Sequence, residues 1–220
     1  MTDPYLPLLD SFDWSEEERE VIDTALAHDD PWDDGAPELR GIKEQLKLIK
    51  KRIQRFHLDR QGSTCCYCRT NLQGGGPFMI DREHILPKSK FRKLTYTISN
   101  LSVSCKRCNL QFKKNRIDFV VDPKTVEAKH DKSDQYLFAH PNFDHLDDLI
   151  ERLSVQANRK VVVTYKVSNH PKATFTYEYF NLKELEVDSF QETQGGRSLD
   201  EVEQEVRMML SLELQDRQAK

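Results

Sequence analysis

Cys65-Cys66-Tyr67-Cys68 and Cys105-Lys106-Arg107-Cys108-Asn109 decide how this chain is read, and between them lie Asp81-Arg82-Glu83-His84-Ile85-Leu86-Pro87-Lys88-Ser89 and Asn100-Leu101-Ser102-Val103. The two Cys-x-x-Cys pairs, Cys65/Cys68 and Cys105/Cys108, supply the four thiolates that a tetrahedral structural zinc requires. A reducing compartment favours that reading, with disulfide and redox pairing as the alternatives. If all four thiols share one ion, Cys68 and Cys105 become neighbours, and the 36 residues between them close into a loop carrying Glu83, His84 and Asn100. A structural zinc contributes folding free energy directly, so it can fix an element too small to hold itself by burial. Cys66, the odd cysteine, reads as a packed thiol.

Working outward, Gly74-Gly75-Gly76-Pro77 breaks the chain before Phe78-Met79-Ile80, a short apolar run that reads as a strand leading into Asp81–His84. Leu101-Ser102-Val103 alternates as a second strand, and Lys106 to Lys114 has helix-compatible composition. The expected order is strand, loop, strand, helix. Upstream, Ser15-Glu16-Glu17-Glu18 is a capping-box start, so a helix is predicted from Glu16 to Ala27, ended by Asp29 to Gly35. From Pro37 to Leu58 the residues Leu39, Ile42, Leu46, Ile49, Ile53 and Phe56 recur at helical spacing and predict one long amphipathic helix. Downstream, Arg159–Val167 and Lys172–Phe180 are β-branched and aromatic, which predicts an antiparallel hairpin joined by Ser168-Asn169-His170-Pro171. Ser198-Leu199-Asp200-Glu201 repeats the capping box, and Leu199, Val202, Val206, Met209 and Leu210 give a closing helix its apolar stripe. The expected fold is α+β, with helices over 1–60, a compact core over 61–123 and an α+β region over 124–220.

The net charge of −4 conceals an asymmetry: Gly41 to Arg116 carries 18 Lys/Arg against four Asp/Glu, whereas the flanks carry 15 against 33. A basic middle can offer a polyanion a binding face. A solvated lysine-rich helix explains Lys43 to Arg60, but it does not explain Lys88, Lys90, Arg92, Lys93, Arg107, Lys113, Lys114 and Arg116 around the cysteines. These would meet phosphates, which position a strand without specifying its sequence. No apolar run approaches the ~18 residues of a membrane helix. Met1 to Asp10 lacks the basic-then-apolar pattern of a secretory signal, so a cytoplasmic location without membrane partners is the expectation. His28, His57, His130, His140, His145 and His170 show no defensible ligand spacing, and His140-Pro141 with Asp144-His145 reads first as a cap or turn.

Cys65-x-x-Cys68, Glu83-His84-Ile85 with Pro87-Lys88-Ser89, Asn100-Leu101, Cys105-x-x-Cys108-Asn109 and Lys113 together resemble the HNH, or ββα-metal, endonuclease motif over Thr64 to Asn115. The resemblance implies a zinc-stapled ββα-metal core that hydrolyses phosphodiesters, with DNA the expected substrate. It implies His84 as general base, Glu83 and Asn109 as ligands of a catalytic Mg²⁺ or Mn²⁺, and Asn100 as a brace that orients His84. Lys88, Lys90, Arg107, Lys113 and Lys114 would contact nucleic acid. Two departures stand out: Glu83 replaces the commoner Asp and Asn109 the commoner His. Neither removes a hard oxygen donor.

Within that family the length, the helical prefix, Glu83-His84-x-x-Pro87-Lys88-Ser89, Ser104 to Asn109 and Val121-Asp122-Pro123 together are similar to PtuB, the HNH effectors of Septu-type and retron-associated bacterial anti-phage systems. That likeness implies a PtuA-type ATPase partner, for which the acidic first 40 residues, with 13 Asp/Glu against two Arg, and the closing helix are docking candidates. A stand-alone restriction or mobile-element nuclease and a non-catalytic zinc-dependent nucleic-acid binder are the alternatives.

Overall fold

The computed structural model describes residues 3–157 and 160–188. Helix α1 (Glu16–Leu26) begins where its capping box dictates, the Glu18 N–H donating to Ser15 Oγ at 3.2 Å and the Ser15 N–H to the Glu18 carboxylate at 3.0 Å. Ser15→Ala should therefore cost about 1 kcal/mol of stability. A denaturation midpoint unchanged from the parent would contradict that.

The expected continuous helix from Pro37 divides in two. Pro37–Ile42 is a 3₁₀-helix and only Lys43–Arg60 is α-helical (α2). Pro37 and Gly41 disfavour regular α pitch in that short stretch. The apolar stripe nevertheless lands as its spacing requires. Leu39, Leu46, Ile49 and Ile53 are buried with Ile22, Ala25, Tyr96 and Leu101, while Ile42 is only partly buried. Each such aliphatic side chain stabilises the fold by about 1.5–3 kcal/mol.

Gly76–Met79 forms one helical turn (α3), not the start of a strand, because Pro77 and the positive φ of Gly76, +58°, set a turn there. Strand β1 (Ile80–His84) pairs antiparallel with β2 (Leu101–Cys105), in a register that puts Ile80 opposite Cys105 and His84 opposite Leu101. A two-stranded ribbon is marginal by itself. Gln61, just beyond α2, supports it: its Nε2 donates to the Val103 and Thr64 carbonyls, both at 2.7 Å, and its Oε1 accepts from Val103 N–H and Ser102 Oγ.

The helix expected after β2 is present over Arg107–Lys113, but with π pitch, the Lys114 N–H closing on the Asn109 carbonyl at 2.7 Å. Such local widening is frequent at functional sites. Behind the ribbon lies an aromatic core, in which Tyr67 stacks on Phe180 at 4.1 Å and Phe119 on Phe138 at 4.3 Å between ring centroids.

Further on come α4 (Leu146–Leu149), β3 (Ile150–Ala157), β4 (Lys160–Val167), α5 (Pro171–Tyr179) and β5 (Val187–Asp188). The hairpin predicted from Arg159–Val167 and Lys172–Phe180 is corrected here, because the second segment is helix α5. His170 caps that helix, its ring accepting the Lys172 N–H at 3.2 Å, and Pro171 sits at the first position, where a missing N–H costs nothing. Thr176, counted toward a strand by its β-branch, turns its hydroxyl back to the Lys172 carbonyl, as helical threonines do. β4 lies instead between β3 and β5.

The chain divides into two compact units, Met1–Ile150 with Val167–Phe180, and Glu151–Lys166 with Asn181–Lys220. Every residue of the cysteine and histidine constellation belongs to the first. Among the described residues no helix is long and apolar enough to cross a membrane. The closing helix expected from Ser198 lies outside the described residues.

Candidate functional site

The four cysteines converge as their spacing predicts. One ligand atom from each of Cys65, Cys68, Cys105 and Cys108 lies within 4.8 Å of the others, and none of the five cysteines is in a disulfide. The Cys68 and Cys105 sulfurs are 3.7 Å apart. That is far beyond an S–S bond of ~2.05 Å. It matches the ~3.8 Å edge of a tetrahedron built on Zn–S distances of ~2.3 Å. Hydrogen bonds from the Cys105, Cys108 and Cys65 thiols hold the Cys68 thiolate well below the usual thiol range, whereas burial pushes the Cys65 thiol well up. A divalent ion is what lets four neighbouring sulfurs ionise together. The donor set fits zinc. Cys66 is not one of the four clustered ligands and is buried, its N–H donating to the Val103 carbonyl.

His84 ends β1 and lines a cleft of about 350 Å³ together with Trp32, Asp81, Asn109 and Lys114. Its Nε2–H donates to the Thr95 carbonyl at 3.1 Å, and the ring meets Trp32 edge-on at 4.5 Å. A carbonyl can only accept, so this bond fixes the proton on Nε2 and leaves the lone pair on Nδ1. Burial pushes the imidazole down to about 3, with Lys113 and Lys88 adding to that effect. The ring is neutral, the form that can take a proton.

Asn100 is buried and braces the segment after His84, its Oδ1 accepting the Leu86 N–H at 2.8 Å and its Nδ2 donating to the Leu86 and Leu94 carbonyls at 3.1 and 3.2 Å. These bonds use its amide on loop backbone. It orients the loop and does not line the cleft.

Glu83 and Asn109 are not brought together. Glu83 is fully buried, with Oε1 bound to the Lys113 ammonium at 2.8 Å and to the Tyr67 hydroxyl at 3.1 Å. Its Oε2 has no hydrogen-bond partner. Burial raises this carboxyl and the Lys113 charge pulls it back. Asn109 instead donates to Asp81 Oδ2 at 3.0 Å. A Glu83/Asn109 ligand pair therefore does not fit this arrangement.

The basic residues also separate. Lys113 is 1% exposed, engaged by Glu83 and the His84 carbonyl, and so offers no free phosphate contact. Lys88 pairs with Asp30 at 2.7 Å, while Arg92 donates to the Leu26 and His28 carbonyls. Arg107 stacks its guanidinium over Phe112 at 4.3 Å and donates to the Phe180 carbonyl. Lys90 and Lys114 are exposed, and Lys114 lines the cleft.

Residues 65–115 match the family model described as HNH endonuclease. No curated protein and no solved structure matches the chain. The HNH match covers the thiol cluster, both strands and the π-helix, and it supports nuclease chemistry for the cleft that holds His84.

Sequence reasoning missed Trp32, Asp81 and Tyr67. Trp32 enters from the acidic loop before α2 and carries no motif signal. Asp81 had one, since residues two apart on a strand share a face and Asp81 stands with Glu83. Tyr67, inside a cysteine pair, carries no motif signal of its own. For the other histidines, His140 proves to be part of a turn, its N–H donating to Asp144 at 2.6 Å.

Proposed function

We propose that this protein is a zinc-stapled, divalent-metal-dependent endonuclease that hydrolyses phosphodiester bonds with His84 as general base. The observation that carries the reading is a histidine whose Nε2 is held by the Thr95 carbonyl, in a cleft lined largely by residues of an HNH segment. In the reaction His84 Nδ1 takes a proton from water as the water oxygen bonds to phosphorus. The bond to the 3′ oxygen breaks, and that oxygen leaves with a proton from solvent. The negative phosphate also favours the imidazolium that forms, offsetting the effect of burial. A bound hard cation supplies electrostatic stabilisation of the phosphorane charge and leaving oxygen. Lys114, which lines the cleft, and the exposed Lys90 would meet the flanking phosphates, and Lys88 would join them if Asp30 yields.

His84→Ala tests the assignment. Cleavage of plasmid DNA is expected to fall about 10²–10⁴-fold. Zinc content is expected to stay close to that of the parent, and the melting temperature to fall by only several degrees for the lost Thr95 bond. A His84→Ala preparation cutting at more than a tenth of the parent rate would remove the histidine from the mechanism.

The finer assignment is an anti-phage effector of the PtuB kind, acting on DNA inside a complex with a PtuA-type ATPase in the cytoplasm. It is supported by the motif likeness and by the acidic first 40 residues, which offer a basic partner surface a complement. Co-expression with the ATPase encoded beside it, followed by affinity capture, is the test. A stable hetero-oligomer supports the assignment, and a nuclease equally active without any ATPase bound favours a stand-alone enzyme.

A further inference from the structure

Strand β1 and the π-helix face each other across two polar rungs. On one, Glu83 holds the Lys113 ammonium at 2.8 Å, and on the other Asp81 Oδ2 accepts from the Asn109 amide at 3.0 Å. The first rung is closed: both side chains are 1% exposed or less, and the ammonium is bonded to the His84 carbonyl as well. The second is open, since Asp81 and Asn109 are both only partly buried and both line the same cleft as His84, whereas of the first rung only the buried Lys113 reaches it. We propose that the hard divalent cation is held by Asp81 and Asn109, and that Glu83 serves Lys113, its resident counterion, in place of a metal. This rests on the nuclease reading above and names the ligand pair of that same site.

Three arguments favour the open rung. A cation entering at Glu83 would find only Oε2, which is buried and without a hydrogen-bond partner, while Lys113 holds Oε1, and a second cation crowded against that buried ammonium is disfavoured in a low-dielectric interior. Mg²⁺ and Mn²⁺ keep several waters and take few protein ligands, so they need the hydrated, open rung. The spacing also matches. An octahedral ion with metal–oxygen distances of ~2.1 Å places neighbouring ligand oxygens ~3.0 Å apart. The Asp81 and Asn109 terminal atoms stand 3.0 Å apart, and turning the Asn109 amide by half a rotation presents its oxygen in place of its nitrogen. The π pitch of Arg107–Lys113 contributes by placing both Asn109 and Lys113 against β1.

The experiment uses the zinc-loaded full chain and Mn²⁺ as probe, with binding read by loss of the free-ion paramagnetic resonance signal in the absence of nucleic acid. Asp81→Asn is expected to weaken Mn²⁺ binding at least tenfold. Glu83→Gln should leave it within about twofold of the parent. Because Glu83→Gln strands Lys113 and can harm folding, the double variant Glu83→Gln/Lys113→Met, which removes both charges, is measured beside it and is expected to bind Mn²⁺ like the parent. Equal binding by Asp81→Asn and the parent, no binding by the parent at millimolar Mn²⁺, or a tenfold loss in the double variant would each overturn the assignment. Plasmid cleavage by the same proteins separates the two ideas: a parent that binds Mn²⁺ through Asp81 but cuts no nucleic acid sinks the nuclease reading and leaves the metal site standing.

Discussion

Cys108→Ser protein is expected to lose its zinc and, with it, the folded state of the HNH segment, whereas Cys66→Ser protein should keep both. The two side chains are both buried cysteines in the same small element, yet only Cys108 belongs to the four-sulfur cluster. β1 and β2 are five residues each, too little ribbon to stand unaided, and the cluster ties the Cys65–Cys68 turn to the end of β2 and the start of the π-helix. Structural zinc sites bind with apparent free energies of about 10–16 kcal/mol at pH 7. That is as large as the whole stability of a typical domain. Even a third of it, lost on removing one thiolate, corresponds to a melting temperature lower by roughly 10–20 °C for a unit of this size. The α1–α2 core, built on Leu46, Ile49 and Ile53, also takes in Tyr96 and Leu101 of the HNH segment, so loss of the staple should weaken that core as well. Metal analysis and calorimetry of the two variants decide the matter. A Cys108→Ser protein with a full equivalent of zinc, or a Cys66→Ser protein that unfolds as readily, would defeat the staple.

How much of this was legible beforehand depends on the kind of signal. The thiol cluster, the capping box of α1 and the buried stripe of α2 follow from spacing, because each is set by a local period or by one ion's coordination number. Two errors came from reading composition without position. Lys172–Phe180 has strand-like residues, but His170 and Pro171 form a helix start, and the start prevailed. Glu83 looks like a ligand because it precedes His84, but its orientation depends on Lys113, 30 positions away in sequence. A long-range pairing of that kind leaves no period to read. Likewise Lys88 and Arg92 looked like free phosphate contacts, and only the folded chain reveals that the loop from Leu26 to Asp30 already engages them.

Stability should fall steeply between pH 6.5 and pH 3, and the cause is three histidines. His57, His84 and His140 are each fully or nearly fully buried, and burial pushes each from its ordinary 6.5 down to about 3. Below pH 6.5 the unfolded chain binds these protons and the folded chain does not, so each step down in pH favours unfolding. At pH 5 one such histidine lowers stability by roughly 2 kcal/mol, and three by about 6. Because pH 5 lies well above 3, the folded-state value hardly enters this figure. Carboxylates act later: burial would raise Asp144, but hydrogen bonds from Lys172, Ser133 and the His140 N–H more than offset it, so its contribution is lost only as pH falls below the ordinary 3.8. Denaturation midpoints at pH 7 and pH 5, with zinc content measured in each sample, test the slope. His57→Leu, which lies outside the zinc cluster and the cleft, should flatten it by about a third, an outcome that acid release of zinc would not produce. If parent and His57→Leu protein lose stability in parallel, or if the parent changes by less than about 1 kcal/mol between those pH values, the buried neutral histidines do not govern the acid limb.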